Sequence, residues 1–222
     1  MSEPRTSDEQ RRAALGELGT SELSDALDRL RIAGQCLGIM PQTQSNGLVG
    51  RAWTLRYGPV GQVAGTVGDY IDDLGEGDVV VLDNQGRLDA TVWGDLLTLT
   101  AVRNKVAGTV IDGVCRDLDR ARTLGYPIYA RGHWMRTSKD RVQVEATGEP
   151  VSIGGVRIEA GDWLRGDSDG VVCIPRGRVD EVIEVARSIR AAEERIRAAV
   201  ESGRSLRDAR SDVGYHALQT GR

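Results

Sequence analysis

Trp93-Gly94-Asp95-Leu96-Leu97, followed by Gly108-Thr-Val-Ile-Asp-Gly-Val-Cys-Arg-Asp117, sets the fold of this 222-residue chain. An apolar run from Val79 to Leu82 precedes the first stretch, and Thr109 to Ile111 is the apolar heart of the second. Between them lie a polar loop and a helix predicted to start near Asp95. Arg116 and Asp117 follow in a second loop. A strand, helix and strand of these lengths form a βαβ unit with parallel strands. Both loops then leave the carboxyl ends of adjacent strands, where open α/β sheets put their ligands. Asp95, Arg116 and Asp117 are therefore expected on one rim. Gly94 lets a ligand approach the backbone. The free N–H groups of Gly94, Asp95, Leu96 and Leu97 at the helix start offer an anion site suited to the carboxylate of a small substrate.

The rest of the chain reads outward from that unit. Pro127 to Ala130 is expected as a third parallel strand ending at Arg131, reached through a short helix over 118–124. Arg131 then stands at the carboxyl rim, where it meets either solvent or the far end of a substrate. Val49 to Tyr57 alternates as a strand stopped by Gly58-Pro59. Val142–Val144, Val151–Ile153, Val156–Ile158, Trp163–Leu164 and Val171–Ile174 read as short antiparallel strands, with Gly154-Gly155 as a two-residue hairpin and an Asp-Gly turn at 167–170. Thr20 or Ser21 can cap a helix whose Leu23, Ala26, Leu27 and Leu30 face a sheet. From Val179 a long helix carries Val182, Ile183, Ala186, Ile189, Ile196 and Val200 on one side and ends at Gly203.

Composition narrows the chemistry. Net charge is −4, with 29 basic residues interleaved among 33 acidic ones, so no basic footprint for nucleic acid stands out. No apolar run or leader directs the chain to or across a membrane, and a cytoplasmic protein is expected. Cys36, Cys115 and Cys173 are odd in number and far apart, as reduced thiols are. Lys105 and Lys139 are the only lysines, and neither sits in an apolar segment, which disfavours imine chemistry. His133 and His216 are too few and too isolated for a histidine-rich metal site, whereas carboxylates abound, so any metal is expected to be hard, Mg²⁺ or Mn²⁺. The glycine-rich residues 61–75 contain no phosphate-loop or dinucleotide fingerprint. Asp69, Asp72 and Asp73 read as a solvated helix face.

Gly94-Asp95-Leu96, the twenty residues separating Asp95 from Arg116, and Ile111-Asp112-Gly113-x-x-Arg116-Asp117 resemble the signature of the RraA-like family. That family contains the regulator of ribonuclease E activity A and the divalent-metal-dependent 4-hydroxy-4-methyl-2-oxoglutarate/4-carboxy-4-hydroxy-2-oxoadipate aldolases. The likeness extends to Leu18-Gly-Thr-Ser-Glu-Leu-Ser-Asp-Ala-Leu-Asp28, to Gly125-Tyr-Pro-Ile-Tyr-Ala-Arg-Gly132, to Gly161-Asp-Trp-Leu-Arg-Gly-Asp-Ser-Asp-Gly-Val-Val-Cys-Ile-Pro175 and to the tail Gly214-Tyr-His-Ala-Leu-Gln219. Where the family often has Thr-Pro after the glycine at 132, this chain has His133-Trp134.

The resemblance implies an αββα sandwich with a parallel βαβ half and an antiparallel half, related to swivelling phosphohistidine-type domains. It implies one domain over 15–203, after a frayed 1–14 and before a tail, 204–222, that packs on a neighbouring subunit. It further implies trimers, or hexamers built from them, in which Glu193 or Glu194 of an adjacent chain reaches the metal through water. The implied reaction is class II aldol cleavage of a 4-hydroxy-2-oxo acid to pyruvate, with oxaloacetate decarboxylation beside it. Asp117 would ligate Mg²⁺ or Mn²⁺, Arg116 would lie beside the forming enolate oxygen, and Asp95 would orient or deprotonate the 4-hydroxyl through water. The Gly94 to Leu97 amides would hold the pyruvyl carboxylate. The competing expectation is a regulator that binds and inhibits a ribonuclease or helicase. A quinone methyltransferase, a third label attached to the family, would need a cofactor loop that 61–75 does not supply.

Overall fold

The computed structural model describes residues 7–44, 47–62 and 65–214. Residues 1–6 of the segment expected to fray, and the 215–222 end of the tail with His216, lie outside them. The chain divides into two compact units, residues 1–34 with 177–222, and residues 35–176.

The first unit opens with α1 (Asp8–Glu17) and α2 (Thr20–Arg29). Helix α1 occupies a stretch expected to fray. It is held by a capping box, in which Ser7 Oγ accepts from the Gln10 amide at 3.2 Å and the Ser7 amide donates to Gln10 Oε1 at 2.8 Å. Neither Thr20 nor Ser21 caps α2. Gly19 is the cap, and its amide donates to Glu22 Oε2 at 2.8 Å.

The second unit is a mixed eight-stranded sheet. In chain order its elements are β1 (Met40–Pro41), β2 (Leu48–Pro59), a 3₁₀ turn (Asp69–Asp73), β3 (Asp78–Thr91), α3 (Asp95–Arg103), β4 (Gly108–Cys115), α4 (Leu118–Thr123), β5 (Ile128–His133) and β6 (Val142–Thr147). The hairpin β7 (Val151–Ile153) and β8 (Val156–Ile158) follows, then β9 (Trp163–Asp167) and β10 (Gly170–Ile174). Strands run in the order β1-β5-β4-β3-β2-β9-β10, and β6 pairs with the far end of β2. The β2, β3, β4 and β5 neighbours are parallel, and the remaining pairs are antiparallel. The expected βαβ unit is β3-α3-β4. The polar residues expected as a loop after Leu82 stay in β3 as a wide bulge, with Asp83 to Thr91 set against only Asp112 to Val114.

Alternate residues of the central strands feed two cores. Val80, Leu82 and Ile111 point to the side covered by α3 and α4, where they meet Ala101, Leu118 and Ala121. Val79, Val81 and Val110 point to the other side and meet Val151, Ile153, Val156 and Ile158 of the hairpin. Burial on both faces is why β4 is buried at every position. The hairpin turns at Gly154 and Gly155, with φ of 56° and 83°, values that suit a two-residue turn and favour glycine.

The first unit is completed by α5 (Val179–Glu201) and α6 (Leu206–Asp212). The buried stripe of α2, which includes Leu23, Ala26 and Leu27, packs on α5, although the sequence pattern alone suggested a sheet as its partner. No described helix is long and apolar enough to cross a membrane.

Candidate active site

Trp93 fixes the end of β3. Its indole is buried, stacks on Tyr126 with ring centroids 5.9 Å apart and planes 4° from parallel, and donates from Nε1 to Thr98 Oγ1 at 2.9 Å. Thr98 Oγ1 in turn donates to the Gly94 carbonyl at 2.9 Å, and Tyr126 shares a 2.9 Å hydroxyl bond with Thr109. The Trp93 carbonyl accepts from the Arg116 amide at 2.9 Å. The loops after β3 and β4 are therefore joined at their roots, which brings Asp95, Arg116 and Asp117 together on one rim.

The side chains close over Gly94. Asp117, with φ 57° and ψ 38°, adopts the left-handed conformation that Asp tolerates better than most residues. Its carboxylate turns back so that Oδ2 accepts from the Asp95 amide at 3.2 Å and lies 3.3 Å from Arg116 Nε. A Cβ at Gly94 would stand 2.8 Å from that oxygen and 3.4 Å from Arg116 Nε. Glycine is needed at this position for the close approach, since its φ of −151° is ordinary extended backbone.

This geometry revises the expected backbone anion site. Of the four amides from Gly94 to Leu97, that of Asp95 serves Asp117, and that of Leu96 donates to Asp95 Oδ1 at 2.9 Å. Only the Gly94 and Leu97 amides remain open among the described residues. Also open among them are Asp117 Oδ1, Asp95 Oδ2 and the terminal nitrogens of Arg116. Two hard oxygens beside solvent suit a largely hydrated Mg²⁺ or Mn²⁺, which binds through one or two carboxylates and keeps several waters. No cluster of three or more potential metal ligands occurs among the described residues, so a metal enclosed wholly by protein does not fit.

Two hollows meet at this rim. One of about 340 Å³ is lined by Gly94, Leu96, Leu97, Thr137 and Ser138 together with Asp95 and Arg116. The other, of about 800 Å³, is lined by Asp95, Arg116, Asp117, Arg120, His133 and Trp134 among others. Arg120, Trp134, Thr137 and Ser138 were not singled out for the site from sequence. For Arg120 a signal existed, since it follows Asp117 by one helical turn.

Arg131, considered at the sequence level for a substrate's distal end, does not end β5, which continues to His133. Its guanidinium is ion-paired with the buried carboxylate of Asp112 through Nε, and through Nη2 at 3.2 Å. Asp112 also accepts from the Gly154 amide at 2.8 Å, so the pair anchors the hairpin. The thiols are structural as well, and burial pushes those of Cys36 and Cys115 up to about 12. On α5, Glu194 pairs with Arg190 at 3.1 Å. The Glu193 carboxyl is shifted upward, first by burial and then by the nearby charges of Asp25 and Glu22.

The RraA-like family model, described as Aldolase/RraA, matches residues 20–173. A Halalkalibacterium halodurans protein whose name provisionally assigns it as a 4-hydroxy-4-methyl-2-oxoglutarate aldolase is 33% identical over 175 residues, 79% of this chain and 81% of its own length. Protein DlpA of Legionella pneumophila is 42% identical over 88% of this chain, which spans only 32% of that protein's length. Among solved structures, an uncharacterized Pseudomonas syringae protein superposes with a TM-score of 0.86 at 39% identity, over 93% of this chain and 100% of that one. Streptomyces coelicolor RraAS2, described as an unusual member of the RNase ES inhibitor RraA protein family, gives 0.79 at 28% identity, over 86% of this chain and 97% of that one.

Proposed function

The chain belongs to the RraA-like family, Aldolase/RraA, and from that premise we propose that it is a divalent-metal-dependent lyase. It would release pyruvate from 4-hydroxy-2-oxo acids such as 4-hydroxy-4-methyl-2-oxoglutarate, with oxaloacetate decarboxylation as a companion activity. The observation that carries this reading is the meeting of Asp95, Arg116 and Asp117 at the start of α3, with carboxylate oxygens and the Arg116 terminal nitrogens left open. The provisional aldolase names of several relatives support it.

Aldol cleavage and decarboxylation share one intermediate, the pyruvate enolate, and need the same stabilisation. Asp117 would hold Mg²⁺ or Mn²⁺, which when bound supplies Lewis acidity to the substrate's carboxylate and 2-oxo oxygens. Arg116 sets a permanent positive charge where the enolate oxygen develops, and its ion pair with Asp117 keeps that charge aimed into the site. The open amides of Gly94 and Leu97 bind the carboxylate of the pyruvyl half. Asp95 accepts the 4-hydroxyl proton as the C3–C4 bond breaks. In oxaloacetate no such proton exists, so that step asks less of Asp95. In the proposed assembly of three or six chains, Glu193 or Glu194 approaches a neighbour's site.

A second reading, a regulator of an RNA-processing enzyme, draws on the name of the Streptomyces relative. It gives no reason for open carboxylate oxygens beside Arg116. The deciding experiment measures pyruvate release from 4-hydroxy-4-methyl-2-oxoglutarate and from oxaloacetate, before chelation, after it, and after Mg²⁺ is restored. Activity lost on chelation and regained with Mg²⁺ is the expected outcome. Absence of pyruvate from both acids under every condition sinks the lyase reading.

A further inference from the structure

The larger hollow, about 800 Å³, lies near the upper end of the roughly 300 to 1,000 Å³ that pockets for drug-sized ligands occupy. The six-carbon acid 4-hydroxy-4-methyl-2-oxoglutarate is much smaller than such a ligand. One stretch of the hollow's lining is also poorly matched to so polar a molecule. Trp134 and Met135 line it while 45% and 70% exposed, large apolar side chains turned toward open space beside a polar site. The Trp134 amide donates to the Cys115 carbonyl at 2.9 Å, so this wall is tied to the strand end that carries Arg116. Helix α4 supplies another wall. There Arg122 is paired with Asp119 at 3.2 Å, whereas the Arg120 guanidinium has no ion pair or hydrogen bond among the described residues. Beside the Asp117 rim the hollow thus offers apolar surface and, in Arg120, a guanidinium without an ion pair among the described residues.

Building on the pyruvate-lyase reading above, we propose that the substrate's C4 substituent is an aryl group bearing a carboxylate. The ring lies against Trp134 and Met135, as aromatic stacking and thioether–arene contact favour, and the carboxylate pairs with Arg120. The reaction balances without an oxidant. The C3–C4 electron pair passes to C3, the 4-hydroxyl proton goes to Asp95, and C4 becomes the carbonyl carbon of an aromatic aldehyde. The resulting pyruvate enolate then takes a proton at C3.

The test compares kcat/KM for pyruvate release from four acids by the full chain at saturating Mg²⁺. They are 4-hydroxy-4-(4-carboxyphenyl)-2-oxobutanoate, its phenyl analogue, 4-hydroxy-4-methyl-2-oxoglutarate and oxaloacetate. The carboxyphenyl acid is expected to exceed both the phenyl and the methyl-glutarate compounds at least tenfold. Trp134→Ala should lower the ratio of carboxyphenyl to oxaloacetate turnover tenfold or more, and Arg120→Met should abolish the preference for carboxyphenyl over phenyl. Both side chains are exposed, and thermal unfolding checks that each variant is folded. If oxaloacetate reacts but the carboxyphenyl acid is not preferred, or if either variant scales all four substrates alike, this inference falls alone. If no acid yields pyruvate, the lyase reading falls and this inference with it.

Discussion

The Asp117 carboxylate reaches back across the rim to the Asp95 backbone amide, 3.2 Å away, and so caps a helix that precedes it in the chain by a whole strand. One side chain thereby closes the α3 start, pairs with Arg116 and keeps its second oxygen open. These duties can be separated. Asp117→Asn retains an oxygen for the amide but loses the charge, and Asp117→Ala loses both. Calorimetric titration with Mn²⁺ should detect no binding to either variant. Only Ala should also lower thermal stability, by about 1 kcal/mol, as for other lost helix caps. Metal binding by the Asn variant equal to wild type would remove Asp117 as the ligand.

Arg116→Lys keeps a positive charge and gives up the planar fork that faces Asp117 with one edge and the hollow with the other. Loss of one oxyanion donor typically costs about 10² to 10³ in kcat, or roughly 3 to 4 kcal/mol. Single-turnover rates for both acids should fall together, because both pass through the enolate. A drop confined to one acid would separate Arg116 from the shared step.

Asp95→Asn should harm aldol cleavage more than decarboxylation, since only the first requires a proton to leave a hydroxyl. The readout is the ratio of the two kcat values at saturating Mg²⁺. An unchanged ratio would leave Asp95 as the group that holds the Leu96 amide and nothing more.

Gly94→Ala tests the close approach directly. Its Cβ would stand 2.8 Å from Asp117 Oδ2, so the carboxylate must shift against the Asp95 amide from which it accepts. Displacement on the scale of 1 Å costs about 10²-fold in turnover, so kcat/KM should fall that far. Stability should change by no more than about 1 kcal/mol, because the atoms that move are the end of a half-exposed side chain. A fully active Gly94→Ala enzyme would mean that the Asp117 contact is dispensable.

The three cysteines should be silent in the native state. Burial raises all three thiols, Cys36 and Cys115 to about 12 and Cys173 well above its ordinary value, so at pH 8 they are neutral, and the thiolate that reacts with disulfide reagents is scarce. Ellman's reagent should titrate no thiol before denaturation and all three after it. Rapid reaction of one thiol in the folded protein would contradict this.

The convergence of Asp95, Arg116 and Asp117 was legible because it follows from topology: two parallel strands with a crossover helix leave their loops on one side. The reach of Asp117 was not legible. It depends on a left-handed backbone at a residue other than glycine, and nothing in the residue types announces one. Arg131 is exposed, one of the two readings the sequence left open, but its ion pair escaped for a related reason. Its partner, Asp112, lies on the adjacent strand β4, and only the paired register with the hairpin amide of Gly154 brings them together. The bulge from Asp83 to Thr91 escaped because polar residues within a strand look like a loop when its neighbour is unknown. Helix α1 was overlooked although its capping residues, Ser7 and Gln10, stand in plain view.

The single hydrogen bond from the Arg116 amide to the Trp93 carbonyl, at the foot of a buried aromatic stack, bears on how such a protein can change over generations. The reacting rim inherits its shape from the interior, which tolerates little alteration. Trp134 and Met135, by contrast, expose 45% and 70% of their surface. A lineage can therefore exchange that wall one residue at a time and acquire a new diet while passing on the same chemistry.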